Sequence, residues 1–386
     1  MLSLRSSLAP FALTALGLAS PFACKSSAPA AASSGDDDSG ANEGDDAGVD
    51  ATADTALPPY VPDGSYVDDS IIATTLSNPT ALTVVGQTLF WIERDLSGNG
   101  LGIKSVGLGG GTPASVVTSP GLDGNLASDG TSLYFTGPIE EASAFSTVLK
   151  CDLDGSGLTT LTQGQFSTGP TSVNQLFLVG GTLYFQSTIA GTPGPTTILS
   201  GAPTPVPIPA PGAMTALYWA DPSGLYFGMQ DHETHLLDYE TAPLAGNTNN
   251  DLFNTPDATV SPAGLAVVNG EVYIATWTGG TSRSSTVLKL TAATPADGGA
   301  VTPLASLPNW TTSSIAADAN GMYLSQVLYS NAPGVYAMSM TTGATTLVKE
   351  DPSASAYGIA LDATNVYWLE QTSRDTGQAT LHAKAR

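Results

Sequence analysis

One short phrase recurs along this chain, and it limits what the chain can fold into more than any other feature. Its clearest copy runs from Gly264 to Ile274: small apolar residues, an Asn269-Gly270 turn, then Tyr273 followed by Ile274. Related bulky pairs stand at Phe90-Trp91, Tyr134-Phe135, Tyr184-Phe185, Tyr226-Phe227, Tyr323-Leu324 and Tyr367-Trp368. Their first members lie 42 to 50 residues apart, a period that marks propeller blades. Neighbouring residues on a strand point to opposite faces. Two consecutive bulky residues therefore need cover on both faces, and sheets stacked around an axis supply it.

Each copy reads as four strands. Strand A is small-residue rich, as in Thr80 to Val85 and Gly264 to Val268, which suits a crowded inner rim. A hairpin turn follows, such as Asp129-Gly130, Gly180-Gly181 or Asn320-Gly321. Strand B holds the bulky pair, strand C carries pairs such as Leu149-Lys150 and Leu288-Lys289, and strand D follows a turn. Strand D is hard to place in the third copy, which is Pro-rich from Pro203 to Pro211. The last copy stops after strand C, whereas an orphan strand, Ser70 to Leu76, precedes the first. Joining these two ends closes a ring and removes its open edges. The expectation is an all-β, seven-bladed propeller with the N-terminal strand closing the last blade; six or eight blades also fit the irregular middle copies.

Composition agrees with strands and turns. Charged residues are 12% of the chain, with 42 Gly and 27 Pro. A helical protein would want more Glu, Lys and Arg on its exposed faces. The net charge of −23 repels phosphate backbones and argues against nucleic acid. Two cysteines, Cys24 and Cys151, are too few for a disulfide scaffold.

The N-terminal region reads as an address. Leu8 to Leu18 is apolar but too short to span a membrane, as in a secretory signal. Residues 25–63 are Ala, Ser, Gly, Asp and Pro with almost no large apolar side chain, an acidic tether expected to be disordered. Its Asp36-Asp37-Asp38 run is a solvated charge run rather than a calcium site. A coil of about 40 residues spans on the order of 35 Å. The domains expected are 1–24 signal, 25–63 tether and 64–386 propeller.

Ala23-Cys24 at the end of the signal resembles the lipidation site of bacterial lipoproteins. That resemblance implies lipidation of Cys24 and a lipid anchor as the sole membrane attachment. The address would be the outer membrane or cell surface, with a periplasmic or secreted protein as the alternative. Over roughly residues 70–386 the blade pattern is similar to bacterial propellers related to the Tyr-Trp-Thr-Asp repeats of low-density-lipoprotein-receptor-like proteins. Val366-Tyr367-Trp368 and the turn Asp152 to Gly157 carry that resemblance. The Thr-Asp half is missing, since Leu369-Glu370 follows Trp368 and Ile92-Glu93 follows Trp91. The resemblance implies fold and an extracytoplasmic setting, and transfers no catalytic residue.

Variation is concentrated in the B–C loops, read as 92–101, 136–146, 186–195, 228–234, 276–285, 325–333 and 370–378. All emerge on one face, where a rigid scaffold would carry recognition. The candidate ligand-face residues are Glu93, Arg94, Asp95, Asp231, His232, Glu233, Trp277, Tyr329, Glu370 and Arg374. Solvated loop positions are the competing reading. Asp231 to His235 is the one metal-like cluster, but His232 and His235 are three apart in a loop and not on a helix. His382 aligns with Lys104, Lys150 and Lys289 and is expected to be exposed. Cys151 is expected to face an inter-blade layer, and Asp152 to Gly157 to form a hairpin turn. No nucleophile elbow, phosphate loop or dinucleotide fingerprint appears.

These features favour a monomeric, non-catalytic, surface-tethered binding module, with no catalytic residue and no cofactor assigned. Its partner would be a protein, peptide or glycan. The alternatives are a metal-dependent lyase or hydrolase with its site at the channel mouth, using His232 and His235, and a structural envelope protein.

Overall fold

The computed structural model describes residues 70–118, 122–138, 146–166, 176–189, 192–198, 204–205, 213–230, 237–245, 250–254, 260–278, 283–291, 303–308, 310–326, 334–350, 354–371 and 376–386. Among them every regular element is a β-strand. They form seven four-stranded antiparallel sheets. Blades 1 to 6 are each continuous in sequence, spanning 80–118, 123–166, 176–205, 213–254, 260–308 and 312–350. Blade 7 takes its inner three strands from 355–385 and its outer strand from Ser70–Ser77. That outer strand pairs with Gln378–Ala385, Ser70 opposite Ala383 and Ser77 opposite Gln378, so the chain's two ends close the ring. The third blade's strand D is a two-residue strand, Thr204–Pro205, since proline cannot donate to a ladder. Residues 1–69, including Cys24, the signal and the tether, lie outside the described residues.

The bulky pairs interlock the blades. Phe90 shares an apolar cluster with Phe135 between blades 1 and 2. Tyr134 joins Phe185 in the next seam, then Tyr184 joins Phe227 and Tyr226 joins Ile274. Tyr273 joins Leu324, Tyr323 joins Trp368, and Tyr367 closes the circle with Trp91. In every blade the first member faces the following blade and the second faces the preceding one. Cys151 follows the same logic: it is buried against blade 1, and desolvation pushes its thiol up to about 11.

A second grammar fixes the A–B turns. Asp129, Asp221, Asp318 and Asp362 end strand A and accept a turn N–H two residues on, at 2.8, 2.8, 2.8 and 2.7 Å. Five residues beyond each stands the tyrosine of the pair. Tyr134 donates to Asp129 at 2.8 Å and Tyr367 to Asp362 at 2.7 Å. Tyr226 bonds Ser223, whose hydroxyl is held by Asp221. Arg386 grips Asp318, donates to the Asp362 carbonyl at 2.7 Å and lies 5.2 Å over the Tyr323 ring. The last residue thus staples blade 7 to blade 6. In blade 5, Glu271 accepts from Tyr273 at 2.7 Å and pairs with Lys289 at 2.8 Å.

Glycines let the C–D turns press on the preceding blade. Gly343 has φ +70, and a Cβ there would lie 2.0 Å from the Leu304 carbonyl oxygen of blade 5. Gly155, in the expected Asp152 to Gly157 turn, repeats this against the Val116 carbonyl of blade 1 at 1.9 Å. That turn closes through Asp152 N–H to Ser156 O at 2.8 Å.

The structure moves two sequence expectations. Strand B runs past the bulky pair: in blade 3 it reaches Ile189, which pairs with Thr192, so the third B–C connection is two residues and not 186–195. His382 is buried rather than exposed, at 4%. Lys150 and Lys289 sit opposite Tyr134 and Tyr273, the first members of their pairs, whereas His382 sits opposite Trp368, the second. That register turns its ring inward against blade 6.

Two outcomes are expected. Gly343→Ala should cost about 3 kcal/mol or more in urea unfolding. Gly270→Ala should cost about 1 kcal/mol, because its φ is +80 but nothing lies within 4 Å. Equal costs would show that the seam does not depend on this close approach. The second outcome concerns acid. Burial alone would raise the Asp362 carboxyl, but Tyr367 and the turn N–H groups hold it down at about 2. Asp318 is lowered chiefly by Arg386. A depressed carboxyl stabilises the fold above its unfolded pKa of about 3.9 and loses that contribution as pH falls through the folded value. Stability should therefore drop from about pH 4 towards pH 2, and Tyr367→Phe should flatten the drop in melting temperature.

Candidate functional site

The B–C ends of the strands carry the side chains that the blade grammar leaves open. Several candidates assigned to loops are strand residues, because the hairpin ladders continue beyond the bulky pair. Glu93 and Arg94 end Thr88–Arg94, Trp277 lies within Glu271–Thr278, and Glu370 lies within Asn365–Gln371. Asp231, His232, Glu233, His235, Tyr329 and Arg374 lie outside the described residues.

The structure brings Glu93, Arg94 and Asp95 together at the seam of blades 7 and 1. Arg94 donates from Nε to Thr80 Oγ1 at 3.1 Å and from Nη1 to the Gly98 carbonyl at 2.9 Å. Asp95 accepts from the backbone N–H of Asn99 at 2.9 Å and from its side chain at 2.9 Å; these bonds hold its carboxyl below the usual range. Asn78, in the link from the closing strand to blade 1, ties both blades. Its N–H donates to Gly377 O at 2.6 Å, Nδ2 donates to Asp95 O at 3.3 Å, and Oδ1 accepts from Gln371 at 3.4 Å. Leu96 projects from the same loop and is 66% exposed.

Two consecutive blades repeat a Trp-x-Glu unit. In blade 1, Glu93 stands 3.9 Å from Lys104, which lies opposite Trp91. In blade 7, Glu370 stands 3.6 Å from His382, whose ring stacks on Trp368 at 5.2 Å and 7°. The second pair is buried, at 6% and 8% side-chain exposure, whereas Lys104 keeps 29%. Glu370 is therefore an internal residue that faces blade 6.

Blades 5 and 6 meet in a different way at this end. Trp277 is partly buried and sits in register opposite Ser285. Ser285 Oγ accepts the Thr312 N–H at 2.9 Å and donates to the Trp310 carbonyl at 3.3 Å. Gln326 is fully buried and donates to Thr312 Oγ1 at 3.0 Å. Sequence reasoning missed Gln326, although it occupies the position of Glu93 and Glu370, three residues after the first member of its pair.

On the opposite face, a cleft of about 370 Å³ opens between blades 7 and 1, lined by Ser70, Ile72, Leu108, Asn365, Tyr367 and Lys384. Among the described residues no group of three or more His, Cys, Asp or Glu side chains could hold a metal ion.

Truncating a buried, stacked ring leaves a cavity. His382→Ala is expected to cost about 2–4 kcal/mol in chemical denaturation, from the cavity beside Trp368. Lys104→Ala at the solvated equivalent should cost less than about 1 kcal/mol. Similar costs would refute a structural role for the buried unit.

No protein-family model matches the chain, and no curated protein matches it. Solved structures do. An oligogalacturonate lyase from Vibrio parahaemolyticus is 10% identical, with a TM-score of 0.59 over 84% of this chain and 95% of that one. The β-propeller domain of the Trilobed protease from Pyrococcus furiosus is 9% identical, with a TM-score of 0.51 over 82% and 96%. A puromycin hydrolase is 13% identical, with a TM-score of 0.52 over 76% of this chain; the chain spans about half of it, 50%. At such identities the likeness is one of fold: the chain is a β-propeller.

Proposed function

We propose that this propeller is an exported, non-catalytic binding module that recognises its partner on the B–C face. The polarity of the ring carries the reading. Ser70 pairs with Ala383, near the A–B and C–D turns, and Ser77 pairs with Gln378, near the B–C loops. The closing strand therefore begins on the face opposite the B–C loops. An acidic tether over residues 25–63 and a lipid anchor at Cys24 complete the reading. The shared blade grammar lies in the seams and in the A–B and C–D turns, so the B–C ends are free to differ from blade to blade. The address is the outer membrane or cell surface, in keeping with the lipoprotein-type propellers the sequence resembles.

Two measurements test this. Labelled fatty acid should be incorporated into the full chain and not into its Cys24→Ser variant; equal labelling of both would remove the anchor. A photo-crosslinking residue in place of Leu96, on the B–C face, should capture an envelope component in intact cells. The same residue in place of Asn269, on an A–B turn, should not. Capture from Asn269 alone would overturn the assignment of the face.

A further inference from the structure

We infer that the closing strand Ser70–Ser77 is a strained strap, and that the ring opens where this strap meets blade 7. Among the described residues four other than glycine have a positive φ. Three of them, Thr75 at 59°, Asn78 at 37° and Ala81 at 57°, follow one another from the closing strand into blade 1. The fourth, Asn269, sits in the A–B turn of blade 5. Asparagine tolerates that region, whereas a side chain branched at Cβ is an outlier there, and an alanine Cβ is crowded by the following carbonyl.

Thr75 and Ala81 both lie at breaks in strand pairing. The register of the closing strand against Gln378–Ala385 slips between Ile71 and Ala73 and again between Ala73 and Leu76, the break that holds Thr75. Strand A of blade 1 slips between Thr80 and Thr83, the break that holds Ala81. Blade 7 makes the same break with a different residue. Gly358, at φ +58, stands two residues before Ala360, the partner of Tyr367. Ala81 likewise stands two residues before Thr83, the partner of Phe90. Glycine takes this conformation without a steric cost, so the strain at Ala81 is not a requirement of the blade.

The contacts that oppose this strain are few and local. Ile72, Ala73 and Leu76 are buried in the seam cluster, while Ser70, Ile71, Thr74, Thr75 and Ser77 are exposed. Asn78 ties the link to Gly377, Asp95 and Gln371 and acts as its latch. In each of the other six blades strand D follows its own strand C in sequence, whereas the closing strand joins blade 7 through pairing and packing alone. It can therefore leave without unfolding a blade, and its release frees Thr75 to relax, with Ala81 next along the chain. Departure bares the outer edge of Gln378–Ala385 and the places of Ile72 and Leu76 in the seam of blades 7 and 1.

Hydrogen–deuterium exchange of the full chain, read by mass spectrometry, tests the strap. Amides of Ser70–Ser77 and Gln378–Ala385 should exchange faster than those of the matching strands of blade 5, Pro303–Pro308 and Ser284–Thr291. Thr75→Gly and Ala81→Gly should each slow exchange at the closing strand about threefold or more. Glycine at an ordinary strand position would instead speed it, so slowing is specific to strain. Asn78→Ala, which removes the latch, should speed exchange there, and Asn269→Gly in blade 5 should leave it unchanged. The strap is overturned if the closing strand exchanges no faster than the outer strand of blade 5. It is equally overturned if both Thr75→Gly and Ala81→Gly exchange at the parent's rate or faster.

Discussion

Everything in this ring depends on one repeated steric constraint: two consecutive bulky residues on the second strand of each blade. A strand presents them to opposite faces, so each blade needs a neighbour on both sides. The seams meet that need reciprocally, with the first member of one pair lying against the second member of the next. No blade can bury its pair alone, and the pattern has no natural end until the last blade meets the first. The closing strand Ser70–Ser77 is a consequence of that constraint. Ile72 and Leu76 lie in the same cluster as Tyr367 and Trp91, so the seam that joins the chain's two ends is built like the others.

The tyrosines add a polar lock to this apolar interlock. The rings of Tyr134 and Tyr367 lie in the seams while their hydroxyls reach the aspartates that shape the A–B turns. Burial makes a tyrosine hydroxyl need a partner, and an Asx turn makes a carboxylate available five residues upstream. Sequence spacing thus couples turn geometry to seam packing. Where the blade lacks a free carboxylate the solution shifts: Glu271 serves Tyr273 from the other side of the turn, and Arg386 takes Asp318 and stacks on Tyr323.

The blade grammar was legible because it repeats: strand A, the tight turns, the bulky pairs and the ring closure all follow from period and alternation. The Asp-to-Tyr spacing was equally present in the sequence but was hidden by reading the aspartates as turn formers alone. His382 was misplaced because Lys150 and Lys289 pair with the first member of the bulky pair, whereas His382, like Lys104, pairs with the second, and in a strand one residue reverses the face. Glu370 and Gln326 were obscured for a related reason. The ladder continues past the bulky pair, so the third residue after its first member is still inside the seam rather than in a loop. Asp231, His232, Glu233, Tyr329 and Arg374 lie on stretches that do not repeat, where neither period nor alternation constrains position.

Scarcity of cations is a further constraint on the ring. The chain has 11 Lys and Arg against 34 Asp and Glu. Lys150 lies 5.3 Å over Tyr134, Lys289 lies 5.8 Å over Tyr273, and Arg386 covers Tyr323, so three of the cations guard seam tyrosines. Lys384 reaches from blade 7 to the Val348 carbonyl of blade 6 at 2.7 Å. Arg94 organises its own loop. Cations that hold the ring together are poorly placed to attract an anionic partner, and the excess of carboxylates repels one at long range.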